Sequence, residues 1–372
     1  MNANERKQRF LASLIPAILL MAISAPAQAP RVSNAKMETR SAAAGLAPSF
    51  QSIVAGQASP AWVGYAVPSV SGDRQMCCFD SSATNFDGNN GCGTCRLEKS
   101  SDEITMNNRD SGGTVKLEGS RNIFVLFRVS DKRVEKIRMF SDDCQFDAGG
   151  LPLIWLTGAP AAESVALLAP FAQQAPDGDS NHGDRVSQEA LGAIALTGDP
   201  AADKALESFV TPNQPERLRE KTAFWLGSAR GKAGYEILQR MAHDDPSDRV
   251  REKVTFALSV SGQPEAVEEM IRMAKSDSSS RVRGQALFWL GQKAGKKAVA
   301  VISDAIENDP ETEVKKKAVF ALSQLPKDEA VPKLIEVAQS NRNREVRKQA
   351  MFWLGQSNDP RALAFFENVL EH

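Results

Sequence analysis

The sequence predicts a mainly α-helical chain, an α-α superhelix of about six helical pairs preceded by a small β-rich domain. Three observations carry this. Residues recur at a fixed interval of 32 from about residue 184 to the C-terminal end. Short β-branched and aromatic runs are confined to the stretch before residue 157. All five cysteines, Cys77, Cys78, Cys92, Cys95 and Cys144, fall in that same stretch.

The interval is unbroken over several columns. Phe224, Phe256, Phe288, Phe320 and Phe352 stand 32 apart, and two residues beyond each is a Leu, from Leu226 to Leu354. Six residues before each Phe is Leu218, Val250, Val282, Val314 or Val346, followed by Arg219, Arg251, Arg283, Lys315 or Arg347. One interval earlier come Val186, Ala190 and Ile194, with Gly192 in the Phe position. Within a unit, a first helix over about 249–260 is broken by Ser261-Gly262-Gln263-Pro264, and a second covers about 265–275. Val250, Val254, Ala257 and Leu258 fall on one stripe at 100° per residue, too wide for one helical pair to cover. Stacked pairs cover it for one another. A leading helix over about 161–173 is expected to cap the stack.

Before the repeats, Ala61–Val67, Thr114–Leu117, Ile123–Val129 and Val134–Phe140 read as strands, the last two joined by a Ser130-Asp131-Lys132 turn. The stretch 71–110 is rich in Gly, Asn, Asp and Ser and cannot bury much apolar surface, so covalent staples are expected to order it. Residues 28–58, rich in Ala, Ser, Gln and Pro with little periodicity, read as a disordered linker, which sets the β-rich domain at 59–157 and the solenoid at 158–372. Residues 1–27 have the layout of a secretory signal peptide: Arg6, Lys7 and Arg9, an apolar run to Ile23, then Ala25-Pro26-Ala27. The run is too short to span a bilayer comfortably. An exported protein, periplasmic or secreted, with no membrane span after signal removal is expected. In an oxidising compartment the clustered cysteines read as disulfides, at least one thiol being left over or paired with another chain. A zinc site or a Cys92–Cys95 redox dithiol is the alternative. With 42% apolar and 24% charged residues and a net charge of -1, nothing points to nucleic acid.

The run Val282-Arg283-x-x-Ala286-x-x-Trp289-Leu290-Gly291 resembles HEAT repeats, above all the short HEAT-like variety of phycobilisome lyases and deoxyhypusine hydroxylases. The resemblance covers roughly residues 158–372, with units starting near 184, 216, 248, 280, 312 and 344. It implies an α-α superhelix serving protein–protein contact, and the type it suggests is an exported bacterial HEAT repeat protein. Two enzymatic readings fail on residues. A hydroxylase of this kind needs His-Glu pairs to hold iron, and His182, His243 and His372 are not followed by Glu. The repeats contain no Cys, and no cofactor motif is found, so the lyase reading lacks support.

The reading is a non-catalytic scaffold that binds other proteins, without cofactor or metal. Its alternative is a thiol-redox or metal-binding β domain to which the solenoid recruits substrates. The Phe column lies about 240° from the Val position, outside the core stripe. Trp225, Trp289 and Trp353 alternate with Ala257 and Ala321 in the next position. Either the rings wedge between first helices, large against small, or they form an exposed strip that binds a partner. The basic column is expected to pair with carboxylates such as Glu220 or Glu252. The second helices are expected to line the concave side, with Glu268, Arg272, Lys333 and Glu336 as contact candidates.

Overall fold

A computed structural model describes residues 29–70, 95–98, 121–142, 144–174, 181–293 and 295–371. The expected signal peptide, the Thr114–Leu117 strand and Cys77, Cys78 and Cys92 lie outside the described residues, and Cys95 contributes only its backbone. The strands are β1 (Arg31–Ser33), β2 (Met37–Ser41), β3 (Ala61–Pro68), β4 (Cys95–Arg96), β5 (Asn122–Ser130), β6 (Arg133–Ser141), β7 (Gln145–Asp147) and β8 (Leu153–Thr157). Helices α1 (Leu46–Gly56) and α2 (Ala161–Gln173) precede the pairs. The pairs are α3 (Asn181–Leu196) with α4 (Pro200–Phe209), α5 (Glu216–Ala229) with α6 (Gly231–Asp244), and α7 (Asp248–Val260) with α8 (Glu265–Ser276). They continue as α9 (Ser280–Lys293) with α10 (Lys296–Asn308), α11 (Thr312–Ser323) with α12 (Lys327–Ser340), and α13 (Arg344–Gln356) with α14 (Pro360–Glu371).

The main sheet has the order β2-β8-β3-β5-β6, and a smaller parallel one has the order β1-β7-β4. Strands β3 and β5 read as continuous apolar runs because both faces of the sheet are covered. Val63, Tyr65, Val67, Val125 and Phe127 face the helices, while Trp62, Ala66, Phe124 and Leu126 face a second cluster with Phe146 and Cys144. The β5–β6 hairpin turns through Asp131 and Lys132, whose φ values of 51° and 61° mark a type I′ turn.

Residues 28–58 are not a linker. They contribute β1, β2 and α1, and α1 sets Leu46, Phe50 and Ile53 against the sheet, with the Phe50 ring 4.6 Å from that of Phe127. Strand β2 escapes a periodicity search because all five of its residues are exposed, so no apolar alternation marks it. What holds it is parallel pairing with β8, from Met37 opposite Leu153 to Ser41 opposite Thr157.

The sheet and the first repeats share one core. Ile137, Met139, Leu156, Leu168, Ile194 and Leu206 belong to a single buried cluster that continues through the helical pairs. Main-chain bonds bind the two parts: Val70 N–H to Leu196 O and Gly198 N–H to Pro68 O, both 2.8 Å. The buried Tyr65 hydroxyl lies 2.9 Å from Ser164 Oγ on α2, and burial pushes the phenol well above its usual range. The sheet thus covers the first repeat's open side, as terminal caps of solenoids must.

Six helical pairs follow, as the interval requires. Asp199-Pro200 and Asp359-Pro360 stand at helix starts. Asp199 caps α4 by accepting from Ala201 N–H, with Pro200 at the first helical position. Asp359 likewise accepts from Arg361 N–H at 2.9 Å, and the Arg361 side-chain bonds hold its carboxyl down at about 2.

Candidate functional site: the aromatic face of the first helices

The two helix layers pack differently. Neighbouring first helices meet along most of their length, whereas second helices touch at few residues. Glycine permits the close approach. A Cβ added to Gly227 would lie 2.1 Å from the Ala257 carbonyl oxygen, and one on Gly291 would lie 2.7 Å from that of Ala321. The first helices are the more closely packed layer, and one side of that layer carries the Phe column.

On that side the Phe column forms a continuous ladder. Phe224 stacks on Phe256 at 6.0 Å, and Phe288 on Phe320 at 5.8 Å. Trp289 bridges Phe256 at 4.9 Å to Phe288 at 4.6 Å, and Trp353 bridges Phe320 at 4.8 Å to Phe352 at 5.0 Å. The double period of 64 has a packing cause. Where the unit carries Trp, the indole covers the preceding Phe; where it carries Ala257 or Ala321, the Phe rings themselves stack. Gly192, in the Phe position of the first unit, leaves room for Trp225, whose ring would lie 2.7 Å from an added Cβ. The rings pack against each other and still show one side to solvent: Phe224 is 39% and Phe352 54% exposed, and the three between are half-buried. Phe288→Ser, which removes contacts to Trp289 and Phe320, is expected to cost about 1–2 kcal/mol in chemical unfolding. Phe352→Ser is expected to cost less than about 0.5 kcal/mol.

The first three members of the basic column are largely enclosed, each paired with a carboxylate. Arg219 donates to both oxygens of Asp245 at 2.8 and 3.1 Å, Arg251 to Asp277 at 2.9 and 3.0 Å, and Arg283 to Asp309 at 2.8 and 3.0 Å. These hydrogen bonds to Asp277 and Asp309 raise the affinity of the Arg251 and Arg283 guanidiniums for their protons. Each Asp also accepts the N–H two residues on, at Ser247, Ser279 and Glu311, and so shapes the turn into the next unit. In the next unit Lys315 replaces Arg and Asn341 replaces Asp, and both bond to Glu307 instead, at 2.6 and 3.0 Å. Glu220 and Glu252 do not take the expected partners. They face Arg249 at 3.6 Å and Arg281 at 3.7 Å, across neighbouring first helices.

The second-helix candidates do not converge. Arg272 is tied to the buried Glu269, Lys333 and Glu336 pair with each other at 2.8 Å, and Glu268 lies 4.0 Å from Lys297. Cys144 is fully buried and disulfide-bonded, with its sulfur 3.2 Å from Ser141 Oγ. Which of the other cysteines it joins is not among the described contacts. The Cys92–Cys95 pair can be followed only to the Cys95 backbone, which pairs with Phe146 between β4 and β7. Sequence reading missed Lys253 and Lys317, which lie one turn before Phe256 and Phe320 on the same face; the i, i+3 spacing was the available signal.

A double layer of antiparallel helical pairs, stacked at a constant interval, defines a helical-repeat solenoid. Residues 211–291, 270–352 and 299–372 match HEAT repeats, so this part of the chain is a HEAT-like solenoid. Among curated proteins none matches the chain. Among solved structures it is similar to phycocyanin lyase CpcE–CpcF from Nostoc, with 22% identity, TM-score 0.34, and coverage of 42% of this chain and 99% of that one. It is similar to human deoxyhypusine hydroxylase at 18% identity and TM-score 0.29, covering 56% of this chain and 90% of that one. The Escherichia coli protein YibA matches at 22% identity and TM-score 0.37, covering 56% of this chain and 80% of that one.

Proposed function

We propose that the protein is an exported, non-catalytic protein-interaction scaffold whose contact surface is the aromatic face of the first helices. The observation that carries this reading is the aromatic ladder: rings ordered by their neighbours, partly exposed, and aligned across five units. Pre-ordered aromatic side chains give large contact area at low entropic cost, which suits a binding face. The non-catalytic part rests on the repeats' lack of Cys and of His-Glu pairs. Export rests on the layout of residues 1–27, and the buried disulfide-bonded Cys144 suits an oxidising compartment. Among the described residues no helix is long and apolar enough to cross a membrane.

The test compares partner recovery by the full chain and two double variants, using cross-linking and mass spectrometry of the exported fraction. Phe224→Ser with Phe352→Ser is expected to abolish most specific cross-links while costing no more than about 2 kcal/mol of stability, so that the chain stays folded. Lys333→Ala with Glu336→Ala, on the second helices, is expected to leave the cross-links intact. The reverse pattern would refute the first-helix face. The mature N-terminus is expected near residue 28, and recovery of an intact Met1 from the exported fraction would refute processing.

A further inference from the structure

The charge around the ladder differs from that of the whole chain, which is net -1. Within about 60° of the Phe column on the five first helices lie eight Arg or Lys residues and four Glu. The four carboxylates are all taken: Glu220 by Arg249, Glu252 by Arg281, Glu313 by Lys316 and Glu345 by Lys348. Two of the cations, Lys253 and Lys317, are exposed and have no acidic partner among the described residues. Lys317 reaches along the layer, its stem where a Cβ on Gly284 would fall, 2.5 Å away. On the other flank of the column stand uncharged Gln292, Gln324 and Gln356, all exposed.

We infer that the aromatic face of the first helices takes an extended acidic peptide segment of a partner protein. This rests on the proposed contact face and adds to it the chemistry of the ligand. Lys253 and Lys317 sit two units apart. At the usual 8–10 Å between packed helices that is about 16–20 Å. An extended chain advances about 3.3 Å per residue, so the two lysines match carboxylates about five or six residues apart. Between them lies the half-buried Phe288 with its partners Trp289 and Phe320, an apolar floor for the peptide's intervening side chains. The match is one of sign, spacing and surface, and it sets the order acidic, apolar, acidic along the ligand.

Fluorescence anisotropy with the labelled heptapeptide Glu-Ser-Leu-Ser-Leu-Ser-Glu and the full chain tests this. Saturable binding is expected, weakening at least tenfold in the Lys253→Gln, Lys317→Gln double variant and falling steeply as salt rises from about 50 to 300 mM. The same peptide with Lys in place of both Glu is expected not to bind. Equal binding of the Lys peptide, an unchanged Kd in the double variant, or no saturation up to about 1 mM would overturn the inference. So would displacement of the peptide by a single-stranded oligonucleotide at lower concentration than by unlabelled peptide. If the phenylalanine variants lose their cross-links while the heptapeptide fails to bind, the contact face stands and only the acidic ligand falls.

Discussion

Arg219→Ala is expected to lower stability by about 3–5 kcal/mol in urea unfolding, the range found when one partner of a buried ion pair is removed. Arg219 and Asp245 are the most enclosed rung of the Arg–Asp ladder, with side chains 4% and 2% exposed. The substitution leaves the Asp245 carboxylate with only the Ser247 N–H, and it also strips a donor from the carbonyls of Pro212 and Gln214. Desolvated and half satisfied, that carboxylate is the source of the loss. Asp245→Asn in the Arg219→Ala background is expected to recover part of it by removing the stranded charge. Lys315→Ala serves as the comparison. Its ammonium makes a single exposed bond to the Glu307 carbonyl, and a loss of no more than about 1 kcal/mol is expected. Equal losses for Arg219 and Lys315 would mean that the ladder contributes by packing alone.

The second large effect is opposite in sign at two positions that look identical in sequence. Gly227 and Gly355 both follow Phe-Trp-Leu. A methyl at Gly227 meets the Ala257 carbonyl oxygen at 2.1 Å and its carbonyl carbon at 2.8 Å, and backbone has no rotamer to yield. Gly227→Ala must prise α7 away from α5, and a loss of about 2–3 kcal/mol is expected in spite of the better helix propensity of Ala. At Gly355 nothing lies within 4 Å of the added carbon. There propensity acts alone, and Gly355→Ala is expected to raise stability by up to about 1 kcal/mol. A stabilised Gly227→Ala would show that α5 and α7 do not pack backbone to backbone at this point.

The paired columns illustrate how far sequence reading reaches. The Phe column was visible as an interval, and so was its alternation with Trp and Ala, but interval alone left open whether the rings wedge or face outward. The rings do some of both, because a ring stacked on its neighbour hides one side and leaves the other. The basic column was equally visible, yet its partners were not. Asp245, Asp277 and Asp309 stand 26 residues after their arginines, beyond the second helix, so only the chain's reversal brings them back. Glu220 and Glu252, nearer in sequence, point instead across the layer to Arg249 and Arg281.

By itself the sequence determined the repeating unit, its two helices and the apolar stripe that forces units to stack. These follow from contacts within three or four residues, which leave a period in the chain. Tertiary structure alone decided that β2 and α1 belong to the sheet, that sheet and solenoid share one core, and that the first helices are the more closely packed layer. An exposed strand such as β2 leaves no apolar pattern, and the close packing of the first helices depends on how closely backbones approach at Gly227 and Gly291. Both are set by pairing between distant residues, which no local period encodes.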